Sequence, residues 1–322
     1  MDALIWDGTG TAVASAPRPR PATGRALIDV AYAGICGTDL HICDGDHPRA
    51  KPGLVLGHEF AGRLAEPVAG LAAGTPVTLE PILACGDCPP CRNGSRHVCD
   101  RFRMIGIDEP GGLAEQVSVP AGLLLPLPPD LDLRYGAFVE PLAVAVHAVR
   151  RSRLALGETV AVVGAGPIGL AVATCARLAG ARDVLVVEPF ENRRELARRL
   201  GFTVVEGHGR LGCQVLFDTA GAPPVAAAAT GWVDTGGRVV VVGVYARPTP
   251  VDLQRVNFGE LELIGTRVYR RADLETAIHL LATGAVDAEP LLTRTLPLAS
   301  AAGALDLLRT GQEIKVLIEV TP

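Results

Sequence analysis

No stretch of this 322-residue chain is both long enough and continuously apolar enough to predict a membrane span. The longest uncharged run, residues 159–176 (TVAVVGAGPIGLAVATCA), is broken by three glycines and a proline and reads as strand, turn and helix. The start, MDALIWDGTG, lacks the basic flank and apolar core of a secretory leader, so a cytoplasmic address is expected. Basic residues form no extended run, and the net charge of −5 is spread over interspersed signs. That pattern excludes a nucleic-acid surface and leaves small molecules as the expected partners. Lysine occurs only as Lys51 and Lys315, a scarcity that reads as genome composition rather than function.

What remains is a chain long enough for two domains. Residues 1 to roughly 140 are rich in Gly and Pro and carry short β-like runs such as ALIDVAYAGI and EQVSVP, which suggests an irregular, mostly β domain. From about residue 143 the texture changes to short apolar runs, among them TVAVV, DVLVV, QVLFD and RVVVVG, several separated by helix-like segments such as NRRELARRLG. That alternation is the pattern of a parallel sheet covered on both faces. After residue 270 a helical pattern and a last strand-like run, IKVLIEV, either extend the sheet domain or return to the first one.

Gly164, Gly166 and Gly169 in GAGPIG, with Pro167 and Ile168 between them, lie after a strand-like run and before a helix-like one. Glu188 stands 19 residues beyond Gly169, at the end of the next strand-like run. Glycines there let the backbone approach a pyrophosphate at a helix N-terminus, and the carboxylate accepts from the adenosine ribose hydroxyls. A carboxylate also repels a 2′-phosphate, so NAD is favoured over NADP, with Arg193 and Arg194 close enough in sequence to soften that preference.

Four of the eight cysteines, Cys85, Cys88, Cys91 and Cys99, fall within 15 residues in the spacing C-x2-C-x2-C-x7-C. In a reducing compartment this suits a structural zinc held by four thiolates, with disulfides or an iron–sulfur cluster as the alternatives. Four thiolates leave zinc no open position, so the lobe is expected to hold structure rather than to activate substrate. A catalytic zinc needs about three protein ligands and one exchangeable position. Candidates are scattered: Cys36 in GICGTDLH, His58 in GHE and Glu140 in VEPLAVAVH. Each also has an ordinary explanation, as a buried thiol, a loop histidine and a helix cap. Cys175 and Cys213 read as core.

Taken in order, ICGTDLH, GHEFAG, the four-cysteine lobe, VEPLAVAVHAV, VVGAGPIG and GGRVVVVG resemble the zinc-containing medium-chain dehydrogenases, and within them the polyol, threonine and aminocyclitol branch. The resemblance implies a GroES-like, mostly-β catalytic domain built from residues 1–142 and 271–322. A doubly wound Rossmann domain, 143–270, is inserted into it, and the active cleft lies between the two. It implies two zinc ions per chain, one catalytic on Cys36, His58 and Glu140 and one structural on the four-cysteine lobe, with NAD(H) as the second cofactor. Glu59 matches a residue that approaches the zinc during ligand exchange, and Asp39 one that orients His58. Thr38 and His41 match a proton relay, and Arg193 and Gly243 join the cofactor residues.

The activity implied is NAD-linked interconversion of a secondary alcohol and a ketone on a cyclitol, aminocyclitol or sugar alcohol, by a homodimer or homotetramer. The alternatives are a threonine-type amino-alcohol dehydrogenase and a non-catalytic zinc and nucleotide binding relative. Two departures from the family pattern stand out. The segment TVVEGHGRLGC (203–213) is short enough to lack one covering helix, and Cys43 replaces a common aromatic.

Overall fold

A computed structural model of the chain describes residues 1–206 and 209–321. It divides into two compact units, one formed by residues 1–140 together with those from 270 on, the other by residues 141–269.

In the first unit the long strand Arg25–Gly34 organises a seven-stranded sheet. Its sequence alternates, and Ala26, Ile28 and Val30 turn into the core while their neighbours stay partly wet, as a half-buried antiparallel strand requires. Strand Glu59–Leu64 pairs antiparallel on one side, with Gly34 opposite Glu59. On the other side lies the C-terminal strand Val316–Glu319, also antiparallel, with Leu317 opposite Gly34. The chain's last strand therefore returns to the first unit, which decides the choice the apolar pattern left open.

A three-stranded sheet (Thr11–Ser15, Asp2–Trp6, Leu54–Val55) lies in the same unit. A two-stranded ribbon, Ile82–Leu83 with Arg103–Met104, closes the base of the cysteine lobe.

The second unit is a six-stranded, wholly parallel sheet. In sequence order its strands are Thr159–Val163, Asp183–Val187, Thr203–Val205, Cys213–Asp218, Val233–Val241 and Glu262–Gly265, arranged in space 3-2-1-4-5-6. That is the doubly wound order, in which ligands sit beyond the carboxyl ends of the strands. The first strand, TVAVV, is buried at every position, because neighbours flank both edges and helices cover the faces. Ala161, Val163, Leu216 and Val239 form part of the core, to which each large apolar side chain contributes about 1.5–3 kcal/mol. Cys175 and Cys213 are buried, and burial pushes both thiols up to about 12, so both behave as core.

No helix forms among the described residues between Val205 and Cys213, as the short segment predicts; residues 207 and 208 lie outside the description. No described helix is long and apolar enough to cross a membrane.

Candidate functional site

The four sulfurs of Cys85, Cys88, Cys91 and Cys99 lie within 4.8 Å of one another. Cys85 and Cys99 are 3.4 Å apart, Cys88 and Cys99 3.8 Å, and Cys85 and Cys91 3.9 Å. Zinc–sulfur bonds of about 2.3 Å in a tetrahedron put sulfurs roughly 3.8 Å apart, so the set fits one tetrahedral ion. All eight cysteines are free thiols, and no disulfide forms among the described residues.

The local chain explains the convergence. Pro89 and Pro90 open the single-turn helix Pro89–Arg92 directly after Cys88, which carries Cys91 back toward Cys88, and a 3-10 turn at Arg96–Val98 returns Cys99. The Cys85 amide donates to the Cys99 sulfur at 3.3 Å.

The second cluster is assembled from separate elements. Cys36 caps the helix Gly37–Cys43, and its amide donates to Asp39 Oδ2 at 2.9 Å, which fixes the turn that carries the thiol. His58 and Glu59 enter at the start of the adjacent strand. The ligand atoms of Cys36, His58 and Glu59 all lie within 4.8 Å of one another.

His58 and Asp39 are buried, and among the described residues His58 Nδ1 and Asp39 Oδ1 have no hydrogen-bond partner. A half-buried thiol, a buried carboxylate and a buried imidazole with an unsatisfied nitrogen form a donor set that a cation satisfies, so the residues present fit zinc. Burial pushes the Asp39 carboxyl up, against the pull of His58. Burial also opposes charge on His58, yet its hydrogen bond to Cys36 and the charges of Cys36, Asp39 and Glu140 lift it well above the usual histidine value.

Glu140 borders the same cluster. It is buried in the helix Leu133–Ser152 and acts on His58 and Lys315 through its charge, and Glu59 lies within ligand distance of Cys36 and His58. The resemblance gives Glu140 the third ligand position and makes Glu59 the residue that approaches during ligand exchange; both carboxylates border the Cys36–His58 pair. Thr38 Oγ1 lies 3.8 Å from the Cys36 sulfur, and His41, one helical turn on, is exposed. The two are thus at spacing i, i+3 on one helix, an arrangement fit to pass a proton outward. Half-buried Cys43 ends that helix, its thiol pushed up to about 11 by burial.

One residue escaped sequence reasoning altogether. Lys315 is 2% exposed, donates to Ile35 O at 2.9 Å and forms an ion pair with the Glu59 carboxylate. Burial opposes its charge, but Glu59 and Cys36 hold its pKa above the usual lysine value. The available signal was a lysine set between Ile314 and the apolar start of the strand, Val316–Ile318. Its scarcity is a matter of composition, but its position is not.

The glycine turn behaves as the pattern requires. A side chain on Gly169 would come within 1.9 Å of the Gly164 carbonyl, so helix and strand approach there only without one, while the space at Gly166 is open. Pro167 and Ile168 start the helix Pro167–Leu178. Glu188 is buried, and its carboxylate accepts from the amides of Ala165 at 2.6 Å and Phe190 at 3.0 Å. It therefore braces the turn as well as standing at the strand end. The Arg193 guanidinium lies over the Phe190 ring at 5.5 Å. Arg194 is drawn instead to Glu191. Gly243 packs on Gly221, whose amide would be 2.3 Å from any side chain there, which gives it a packing role at the carboxyl edge of the sheet.

Comparison with known proteins agrees with this geometry. The family model of the alcohol dehydrogenase GroES-like domain matches residues 22–129, and that of the zinc-binding dehydrogenases matches residues 167–283. A 2-dehydro-3-deoxy-L-galactonate 5-dehydrogenase of Pseudoalteromonas atlantica is 39% identical over 316 residues, covering 93% of this chain and 92% of that protein. An L-threonine 3-dehydrogenase of Bacillus velezensis is 34% identical over 332 residues, covering 96% and 95%. Among solved structures, a zinc-binding dehydrogenase from Sinorhizobium meliloti 1021 bound to NADP superposes with a TM-score of 0.92 at 31% identity, covering 99% of each chain.

The chain belongs to the zinc-containing medium-chain alcohol dehydrogenase family, with a GroES-like and a Rossmann-type fold. It is an oxidoreductase enzyme of that family, whose cofactors are zinc and a nicotinamide dinucleotide.

Proposed function

We propose that this enzyme oxidises a secondary alcohol of a polyhydroxylated substrate to the ketone, reversibly, with NAD⁺ as hydride acceptor. The substrate is a sugar acid, sugar alcohol or cyclitol. The observation that carries this reading is the 39% identity, along nearly the whole chain, to a dehydrogenase named for a sugar-acid substrate. It is supported by a largely buried Cys36–His58–Glu59 cluster of the kind that holds a metal.

Zinc, when bound, supplies Lewis-acid polarisation of the substrate oxygen, and the nicotinamide supplies the hydride acceptor. The chain's residues do the rest. Cys36, His58 and Glu140 hold the metal, and Asp39 holds His58 in orientation through its charge. Thr38 takes the hydroxyl proton at Oγ1, and exposed His41 releases it to solvent. Residues 1–142 with 271–322 serve catalysis, and residues 143–270 serve the nucleotide. There Gly164, Gly166 and Gly169 admit the pyrophosphate, and Glu188 favours a free ribose hydroxyl over a 2′-phosphate. Gly243 shapes the edge of that site, and Arg193 flanks the adenosine side.

The four-cysteine lobe holds a second, structural zinc, giving two per chain. Free thiols throughout fit the reducing cytoplasm. The parallel sheet ends in the strand Glu262–Gly265, paired on one side only among the described residues, with Leu253, Phe258 and Leu263 exposed on it and on the helix before it. A second copy of the chain is the occupant that would cover both, giving a homodimer or, with a further face, a homotetramer. Light scattering that reads a monomer at micromolar concentration would remove this part of the proposal.

The threonine-type reading is kept as a second one, because a relative of that name aligns at 34% identity over 96% of the chain. NADH formation at 340 nm against sugar acids, polyols, cyclitols and L-threonine separates the two. Turnover is expected with the polyhydroxylated compounds. Turnover with L-threonine alone would select the second reading, and none at all in a protein retaining two zinc ions would overturn both.

A further inference from the structure

The ion pair between Lys315 and Glu59 sits beside the metal cluster, and its construction involves three strands. Gly34 lies opposite Glu59 across one strand junction and opposite Leu317 across the other. Lys315, just before that last strand, therefore reaches Glu59 by passing over position 34. A side chain at Gly34 would stand 2.3 Å from Glu59 Oε2 and 2.8 Å from Lys315 Cε, so the pair forms only because that residue has none. Both partners are 2% exposed, so water contributes little to satisfying either charge. The remaining contact of the ammonium is the Ile35 carbonyl at 2.9 Å, on the residue that precedes Cys36.

The same Glu59 carboxylate lies within 4.8 Å of the Cys36 and His58 ligand atoms. It thus has two competing cationic partners, a fixed one built into the fold and a metal on Cys36 and His58. Lysine suits the fixed role because its ammonium is a compact charge with three donors and no geometry of its own to impose. A catalytic zinc needs one position free of protein ligands. A buried carboxylate without a counter-charge would fill that position.

We propose that Lys315 is a positioning residue that holds Glu59 off the metal and so keeps one coordination position open for the substrate oxygen. Gly34 is the residue whose lack of a side chain makes the contact possible. The proposal rests on the reading of Cys36 and His58 as metal ligands. It adds a function for a residue outside the ligand set and the proton relay.

The test uses the full-length enzyme with cobalt in place of the zinc on Cys36 and His58. Two readouts serve: the rate of cobalt loss to a chelator, and the change in the visible cobalt spectrum when an exogenous anion such as azide is added. In Lys315→Met, Glu59 is released to the metal. Cobalt loss is then expected to slow by about tenfold or more, and the anion no longer to shift the spectrum.

Adding Glu59→Gln to that variant should restore fast loss and the anion response, because the extra ligand is gone. Gly34→Ala separates the pair without removing either charge and should move both readouts in the direction of Lys315→Met, so it carries the test where the lysine variant does not fold. Cobalt loss as fast as in the parent enzyme, or an anion response unchanged in the single variants, would overturn the proposal. So would a slowing that persists in the double variant. Failure of the underlying reading looks different: the parent enzyme would then take up no cobalt that Cys36→Ala removes.

Discussion

The two candidate metal-binding clusters of this chain are built on opposite plans. The lobe takes four ligands of one chemical type from 15 consecutive residues, and its geometry is set by two prolines, one helical turn and one 3-10 turn. The second cluster draws a thiol from a helix cap, an imidazole from the residue before a strand, a carboxylate from that strand's first residue, and an ammonium from near the far end of the chain. One is chemically uniform and closed. The other is mixed, largely buried and already contains its own counter-ion. A closed thiolate shell holds an ion against exchange, whereas a mixed shell with an internal competitor leaves room for a ligand to come and go.

Exchanging one cysteine in each cluster tests this contrast most sharply. Cys36→Ala should lower turnover on the order of a thousandfold or more, because several kcal/mol of charge stabilisation at the substrate oxygen is lost. The thermal unfolding of that variant should stay within a few degrees of the parent. Cys88→Ala should act in reverse: one zinc fewer by metal assay and a melting temperature lower by roughly 10 °C, with turnover at low temperature largely kept. If the first variant unfolds and the second merely stops turning over, the roles assigned to the two clusters are exchanged.

A smaller effect is expected in the nucleotide unit. Gly169→Ala drives a methyl group into the Gly164 carbonyl and should destabilise by about 1–3 kcal/mol, with weaker NADH binding in a fluorescence titration. Unchanged NADH affinity would show that the turn yields without moving the phosphate cradle.

The smallest effect belongs to His41, the exposed end of the proposed proton path. His41→Ala should slow turnover by about tenfold, below the usual range for a buried general base because solvent can stand in for the side chain. Added imidazole should restore the rate. A loss that imidazole does not repair would place the proton exit elsewhere.

How far each part could be read from sequence follows from how local it is. The lobe and the glycine turn were legible because their determinants are neighbours: cysteine spacing in one, and strand, GAGPIG and helix in the other. Alternating apolar runs also announced a parallel sheet, although the order 3-2-1-4-5-6 comes from crossover packing that no single run encodes. Cys36 and His58 could be paired only through the family resemblance, since 22 positions separate them and nothing in either segment points to the other.

Glu140 and Glu59 were both visible, but that Glu59 stands beside Cys36 and His58 with a buried lysine as its partner is decided by the tertiary fold.

From its residues alone this protein was committed to two units, a nucleotide turn and a four-thiolate lobe. Each depends on residues close in sequence, where backbone geometry leaves few choices. The composition of the second cluster was a matter for the tertiary fold. Gly34 reads as one glycine among 37, and Lys315 as one of two lysines in an arginine-rich chain. They acquire meaning only when the strands around residues 34, 59 and 317 align and a buried carboxylate must find its counter-charge. In a dry interior that requirement is met by whichever cation the fold brings within reach, however distant it is in sequence.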